Sequence, residues 1–377
     1  MRLISATLMT ALLTAHASVA VSHAQTDTEV EQAVARHVQA LLPPDNAGGV
    51  AVAVRMKGRT FFFNNGTADV ARRRPVTSDS IFNLASVGKL FATTLLAQAV
   101  ESGELRLDDP VAKYITELQE GHDIRRVTFA QLASHTSGLP RVPQNYEPWH
   151  RGKYTLPDFI RFLKAWRADP SHEPGQQDLY SNAGMVLLRI ALERRFKTPF
   201  ATLMDQRLTK PLAMNATALP LPRALANRAV QGYGPNGRPI GEAGAAQGTF
   251  DWPGAGQIYS SPRDMAVFLT ANLGELVDQR PLQAAMALAQ QGVFTVNARF
   301  TQGLAWQVIK GRNLTIIDKN GGLNNTSTYI GLVPQHKLGI VILANRGRQP
   351  ATRIGRHILH ELAQEKSDPP GEGADPD

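Results

Sequence analysis

The sequence predicts an α+β fold, with one antiparallel sheet built from segments near both ends of the chain and a mostly helical region inserted between them. Two observations carry this. β-rich runs cluster from Val50 to Phe63 and again from Leu304 to Leu343, whereas the hydrophobic period between about 86 and 294 is mostly helical. Amphipathic runs at Thr28–Leu42 and Thr352–Gln364 would flank the sheet as terminal helices. The groove between the sheet part (about 25–85 and 295–367) and the helical part (about 86–294) is the natural place for a site.

Each element has its local reason. Val30, Val34, Val38, Leu41 and Leu42 recur at helical spacing and stop at Pro43-Pro44. Gly48-Gly49 introduces Val50–Val54, a run apolar enough to be buried on both faces. It turns at Lys57-Gly58 into Thr60–Phe63, and Asn64-Asn65-Gly66 closes the hairpin. Leu90 to Val100 is apolar nearly all round, which places that helix inside the protein. Val111–Ile115 reads as a short helix after the turn at Leu107–Pro110. Thr155-Leu156-Pro157-Asp158 and Ser261-Pro262-Arg263-Asp264 are helix starts, and Met185–Leu192 is a further helix. Leu219 to Gly256, rich in Gly, Pro and Ala, reads as irregular loops. Strands follow at Leu304–Val308, Leu314–Ile317, Thr328–Val333 and Leu338–Leu343.

Composition excludes several classes. No cysteine is present, which removes disulfides, thiolate catalysis and cysteine-ligated zinc. The net charge of +8 comes from scattered arginines and not from an aromatic-interleaved basic stripe, which argues against a nucleic-acid partner. Met1-Arg2, an acid-free apolar run from Leu3 to Ala15 and small residues before Ala24 have the layout of a secretory signal, too short for a stable membrane anchor. The expectation is a signal peptide over 1–24, one domain over 25–367, a disordered tail over 368–377, and a periplasmic mature protein.

Three short stretches bear on chemistry. Ser86-Val87-Gly88-Lys89 puts a lysine one turn along from a serine at the head of the buried helix, where an amine can take or hold the serine's proton. Taken alone, it reads rather as an N-capping serine followed by a surface lysine. Tyr180-Ser181-Asn182 leaves a proline-glycine loop just before a helix. A tyrosine near two ammonium groups favours its phenolate and can act as general base. Asn182 offers an amide to a substrate carbonyl or to Lys89; alone, the pair reads as a packed tyrosine beside a capping asparagine. Lys319-Asn320-Gly321-Gly322 follows a strand and opens a turn. There a lysine would bind a carboxylate and the glycines would admit a substrate to backbone N–H donors, although the same residues suit an ordinary hairpin turn.

In this order, Ser-x-x-Lys, Tyr-x-Asn and Lys-x-Gly make the chain resemble class C β-lactamases and related penicillin-recognising serine hydrolases. The resemblance also takes in Gly103–Pro110, Leu132–Pro140, Ser261–Met265, Gln302–Trp306 and Leu338–Asn345, nearly the whole mature length. It implies that Ser86 is acylated by a small-molecule β-lactam and that Lys89 and Tyr180 manage its proton. Asn182 would contact the side-chain amide and Lys319 the carboxylate, and the backbone N–H groups of Ser86 and Gly322 would bind the oxyanion. It further implies no metal, no organic cofactor and a monomer. Asn320 stands where the family has threonine or serine, Leu323-Asn324-Asn325 is bulkier than a glycine-rich continuation, and Arg141-Val142-Pro143 lacks the family's glutamine. A D-alanyl-D-alanine carboxypeptidase, an esterase on the same scaffold and a non-catalytic binder of cell-wall peptide remain alternatives. His135 reads as a structural residue, His357, His360 and Glu361 as a solvated helix face, and Trp306 and Tyr329 as core or rim.

Overall fold

A computed structural model describes residues 27–146, 154–245, 254–276 and 279–363. The expected signal segment and the acidic tail lie outside them. In chain order the first elements are α1 (27–38), β1 (Gly49–Met56), β2 (Arg59–Asp69), β3 (Arg74–Pro75), β4 (Phe82–Asn83) and α2 (Lys89–Glu101). The helical region continues with α3 (Phe129–Ala133), α4 (Leu156–Ala165), α5 (Asn182–Phe196), α6 (Phe200–Met204), the short β5 (Tyr259–Ser260), α7 (Pro262–Asn272) and α8 (Arg280–Gln290). The chain ends with β6 (Phe294–Thr295), β7 (Phe300–Gln302), β8 (Gln307–Lys310), β9 (Thr315–Leu323), β10 (Thr326–Val333), β11 (Leu338–Ala344) and α9 (Ala351–Leu362).

Nine strands form one antiparallel sheet in the order β3-β2-β1-β11-β10-β9-β8-β7-β6. The two ends of the chain meet at its centre, where Val52 of β1 lies opposite Ile342 of β11. Alternation sends Val50, Val52 and Val54 to one face, where Ile340 and Ile342 join them under Val30 and Val34 of α1 and Ile354 and Ile358 of α9. Ala51 and Ala53 point the other way with Val341 and Leu343, toward α2 and α7. Both faces of β1 are buried, and each large side chain removed from water contributes about 1.5–3 kcal/mol.

Inside the helical layer, α2 is buried from Lys89 to Ala97 and packs against α8. Its surroundings are apolar on every side, which is why its sequence shows no polar face. Thr155 and Asp158 form a reciprocal capping box at α4, and Ser261 caps α7 with proline at the first turn, as the sequence reading expects.

Several elements differ from expectation. β2 does not stop at Asn64-Asn65-Gly66. Gly66 takes φ +78°, and the strand continues to Asp69 to pair with β3. The expected strand Leu304–Val308 begins only at Gln307, because Ala305 sits at φ +62° with its N–H bonded to Ala133 O. Lys319–Gly322 is not a turn: β9 runs through it to Leu323. Ser181, not Asn182, caps α5. His360 is buried, and Glu361 pairs with Arg36 and His37 of α1, so that side of α9 is a packing face and not a solvated one. Trp306 and Tyr329 are fully buried core residues.

Candidate active site

Ser86 sits in a single 3₁₀ turn, Ala85–Gly88, that runs directly into α2. A 3₁₀ turn has three residues, so residues three apart lie one above the other. Lys89 is thereby stacked on the serine, and its Nζ donates to Ser86 Oγ at 3.0 Å and to Ala255 O at 2.5 Å. The turn is held from several sides. Asn83 Oδ1 accepts from the N–H of Ala85, which has φ +47°, and Thr328 Oγ1 of β10 donates to Leu84 O at 2.8 Å. Leu84 N–H donates to Ile258 O at 2.8 Å. A non-glycine residue in the left-handed region costs about 1–2 kcal/mol, which these contacts offset.

Tyr180 arrives on a loop pinned to the His135–Arg141 segment. Leu179 N–H donates to His135 O, Ser181 N–H to His135 Nδ1 and Ser181 Oγ to Pro140 O. Gly138, at φ +73°, must be glycine because a Cβ there would lie 2.1 Å from His172 O. Ser181 is extended and buried, Tyr180 before it reaches Ser86, and Asn182 after it opens α5. Tyr180 Oη donates to Ser86 Oγ at 2.7 Å.

Lys319 comes from β9. Strand pairing sets its direction: it lies opposite Ile330, which belongs to the core on the α2 side, whereas Asn320 lies opposite Tyr329, which packs toward α9. Lys319 and Gly321 therefore share the groove face, and Asn320 lies on the opposite one with Asp318. A Cβ on Gly321 would stand 2.8 Å from both Leu84 O and Ser86 N. This glycine lets the strand itself approach the turn that carries Ser86, a tighter role than admitting substrate. Gly322 is one step further along the strand. β8 pairs with β9 only as far as Asp318, so beyond it one edge of β9 has no neighbouring strand among the described residues.

Positive charge surrounds Tyr180. Lys89 Nζ, Lys319 Nζ and Arg141 Cζ lie 4.9, 5.0 and 5.3 Å from its ring centroid. Beneath it, at 4.4 Å between centroids, is the buried ring of His135. Burial first, then Lys319 and Lys89, hold the His135 imidazole well below its ordinary pKa, so it is neutral. With Nδ1 accepting from Ser181 N–H, the ring proton is on Nε2.

The structure thus brings Ser86, Lys89, Tyr180 and Lys319 together, with Asn182 on the side of Tyr180 and Gly321 and Gly322 along β9. Sequence reasoning read His135 as a structural residue, which its buried ring and its bond from Ser181 N–H agree with, and missed three other contributors. The carbonyl of Ala255 acts only through tertiary contact, and no local pattern signals it. Asp178 accepts from Gln302 Nε2 at 3.1 Å; burial raises its pKa, while Gln302 and Lys319 oppose the rise. Arg141 was legible as an arginine beside the His-Thr-Ser-Gly stretch, but its position over Tyr180 was not. Among the described residues, no group of three or more His, Asp and Glu could hold a metal ion.

A family model described as β-lactamase matches residues 34–365. A β-lactamase from Pseudomonas fluorescens is 27% identical over 358 residues, covering 87% of this chain and 96% of that protein. Among solved structures, a β-lactamase/D-alanine carboxypeptidase from Pseudomonas syringae superposes with a TM-score of 0.78 at 26% identity, covering 91% of this chain and 100% of the other. A class C β-lactamase from Rhodobacter sphaeroides gives 0.73 at 27% identity, covering 90% and 98%. With the α+β architecture and a family match across most of its length, the chain belongs to the β-lactamase family.

Proposed function

We propose that the chain is an exported, monomeric serine β-lactamase of class C type, which opens the β-lactam amide through an acyl-Ser86 intermediate. The observation that carries this is the convergence of Lys89 Nζ and Tyr180 Oη on Ser86 Oγ, at 3.0 and 2.7 Å. For attack, the serine proton leaves along one of these two contacts, to the Lys89 amine or the Tyr180 phenolate. Oγ bonds to the β-lactam carbonyl carbon, the C–N bond breaks, and the same group returns the proton to the leaving nitrogen. The carbonyl oxygen takes up negative charge beside the N–H groups of Ser86 and Gly322, where losing one donor costs about 3 kcal/mol of transition-state stabilisation. A water, deprotonated by Tyr180, then cleaves the ester and restores Ser86. Lys319 binds the substrate carboxylate, Asn182 the side-chain amide, and the open edge of β9 aligns the substrate as an added strand. Asn320 bears on the carboxylate only from the far side of β9.

The apolar leader before residue 25 supports export. Among the described residues, no helix is long and apolar enough to cross a membrane. The Pseudomonas syringae relative carries both names, β-lactamase and D-alanine carboxypeptidase, and this favours a second reading as a carboxypeptidase. Steady-state turnover of a chromogenic cephalosporin separates the two: rapid multiple turnover supports the β-lactamase. A single stoichiometric burst supports a carboxypeptidase, and activity on short-chain esters alone would overturn both.

A further inference from the structure

Arg141 is exposed, with its guanidinium 5.3 Å from the centre of the Tyr180 ring. Its backbone is fixed independently of that contact, because its carbonyl accepts from the N–H groups of Asn182 and Ala183 at 3.0 and 3.1 Å. Arg141 therefore neighbours, through its backbone, the residue whose amide is assigned to the substrate's acyl side chain, and its guanidinium and the ammonium of Lys319, which is assigned to the carboxylate of the β-lactam nucleus, lie 5.3 and 5.0 Å from the Tyr180 ring centroid. The two ends of a bound substrate would each meet a positive charge.

Resting on the β-lactamase reading, we propose that Arg141 is a specificity-determining residue that favours β-lactams bearing a second carboxylate on the acyl side chain. A guanidinium laid on an aromatic face is partly pre-organised, and its planar fork matches a carboxylate with two parallel N–H donors. Its exposure suits substrate recognition, since a contact at the rim forms without burying an unpaired charge.

The test compares benzylpenicillin with its α-carboxy counterpart, which differs only by that carboxylate. The quantity read is the ratio of kcat/KM for the carboxylated substrate to that for benzylpenicillin, measured on each preparation, so that folding losses cancel. Arg141→Gln should lower the ratio at least about fivefold. Arg141→Glu should lower it further, and Arg141→Lys should recover part of it. In the parent enzyme, raising the salt concentration should shrink the ratio toward the Arg141→Gln value. A ratio equal in the parent and in Arg141→Gln, however the individual rates move, would overturn the proposal and leave Arg141 acting only through Tyr180. Absence of turnover with both substrates in the parent enzyme would overturn the β-lactamase reading and this proposal together.

Discussion

Gly321 and His135 carry the sharpest consequences of the site's geometry. A methyl group at Gly321 would meet Leu84 O and Ser86 N at 2.8 Å and Thr328 Oγ1 at 2.5 Å, two of them backbone atoms that cannot swing away. The Gly321→Ala variant should therefore displace β9 from the Ser86 turn and lower kcat about 10- to 100-fold, measured under saturating cephalosporin. An unchanged kcat would show that the strand has slack. His135 gives a pH effect with a definite sign. Its folded-state pKa lies well below the ordinary 6.5, so as pH falls past 6.5 the unfolded chain takes up a proton that the folded protein refuses. Stability is present above 6.5 and is lost below it, by about 1.4 kcal/mol per pH unit, until the folded value is reached. Denaturation curves for His135→Gln should show a shallower fall between pH 6.5 and 4.5 than the parent does. Parallel falls would mean that the histidine titrates normally. Strand parity places Asn320 on the Tyr329 side of β9, opposite to the face of Lys319.

Among the elements, β9 links the site to the outer layer. Immediately before Lys319, Asp318 is wholly buried, accepts from Arg356 Nε of α9 at 2.8 Å and takes a further bond from Tyr329 Oη. Burial lowers and Asp318 raises the Arg356 pKa, the net direction being up; burial and the Asp318 charge raise that of Tyr329. Arg356→Ala would leave the Asp318 carboxylate buried without its cation, at a cost of about 3–5 kcal/mol in urea denaturation. A loss below about 1 kcal/mol would show that water replaces the arginine. The same strand shows where the sequence misled. Lys-Asn-Gly-Gly has the composition of a turn, yet pairing with β10 carries it through as strand, since tertiary pairing overrides weak β-propensity. The reverse holds at Leu304–Trp306, an apolar run that reads as strand but bends at Ala305 to seat Trp306 in the core.

For the molecule as a whole, the sheet drawn from both ends with an inserted helical layer was legible because the apolar period changes from two to 3.6 and back along the chain. Ser86 and Lys89 were legible because one turn of backbone fixes their relation, whatever the rest of the protein does. Tyr180 and Lys319 were readable only as members of an ordered set of motifs; what draws them to Ser86 is the pinning of one loop by His135 and the close approach permitted by Gly321. Arg141, Asp178 and the Ala255 carbonyl enter through distant packing, which a linear pattern does not encode. The convergence of these segments on Ser86 Oγ would make Ser86 the acylated nucleophile. Intact-mass analysis after mixing with a slowly released β-lactam, followed by peptide mapping, tests it most directly. One adduct of the β-lactam's mass is expected on the peptide containing Ser86, absent in Ser86→Ala together with a loss of turnover of at least about a thousandfold. An adduct on another peptide, or turnover that survives Ser86→Ala, would contradict it.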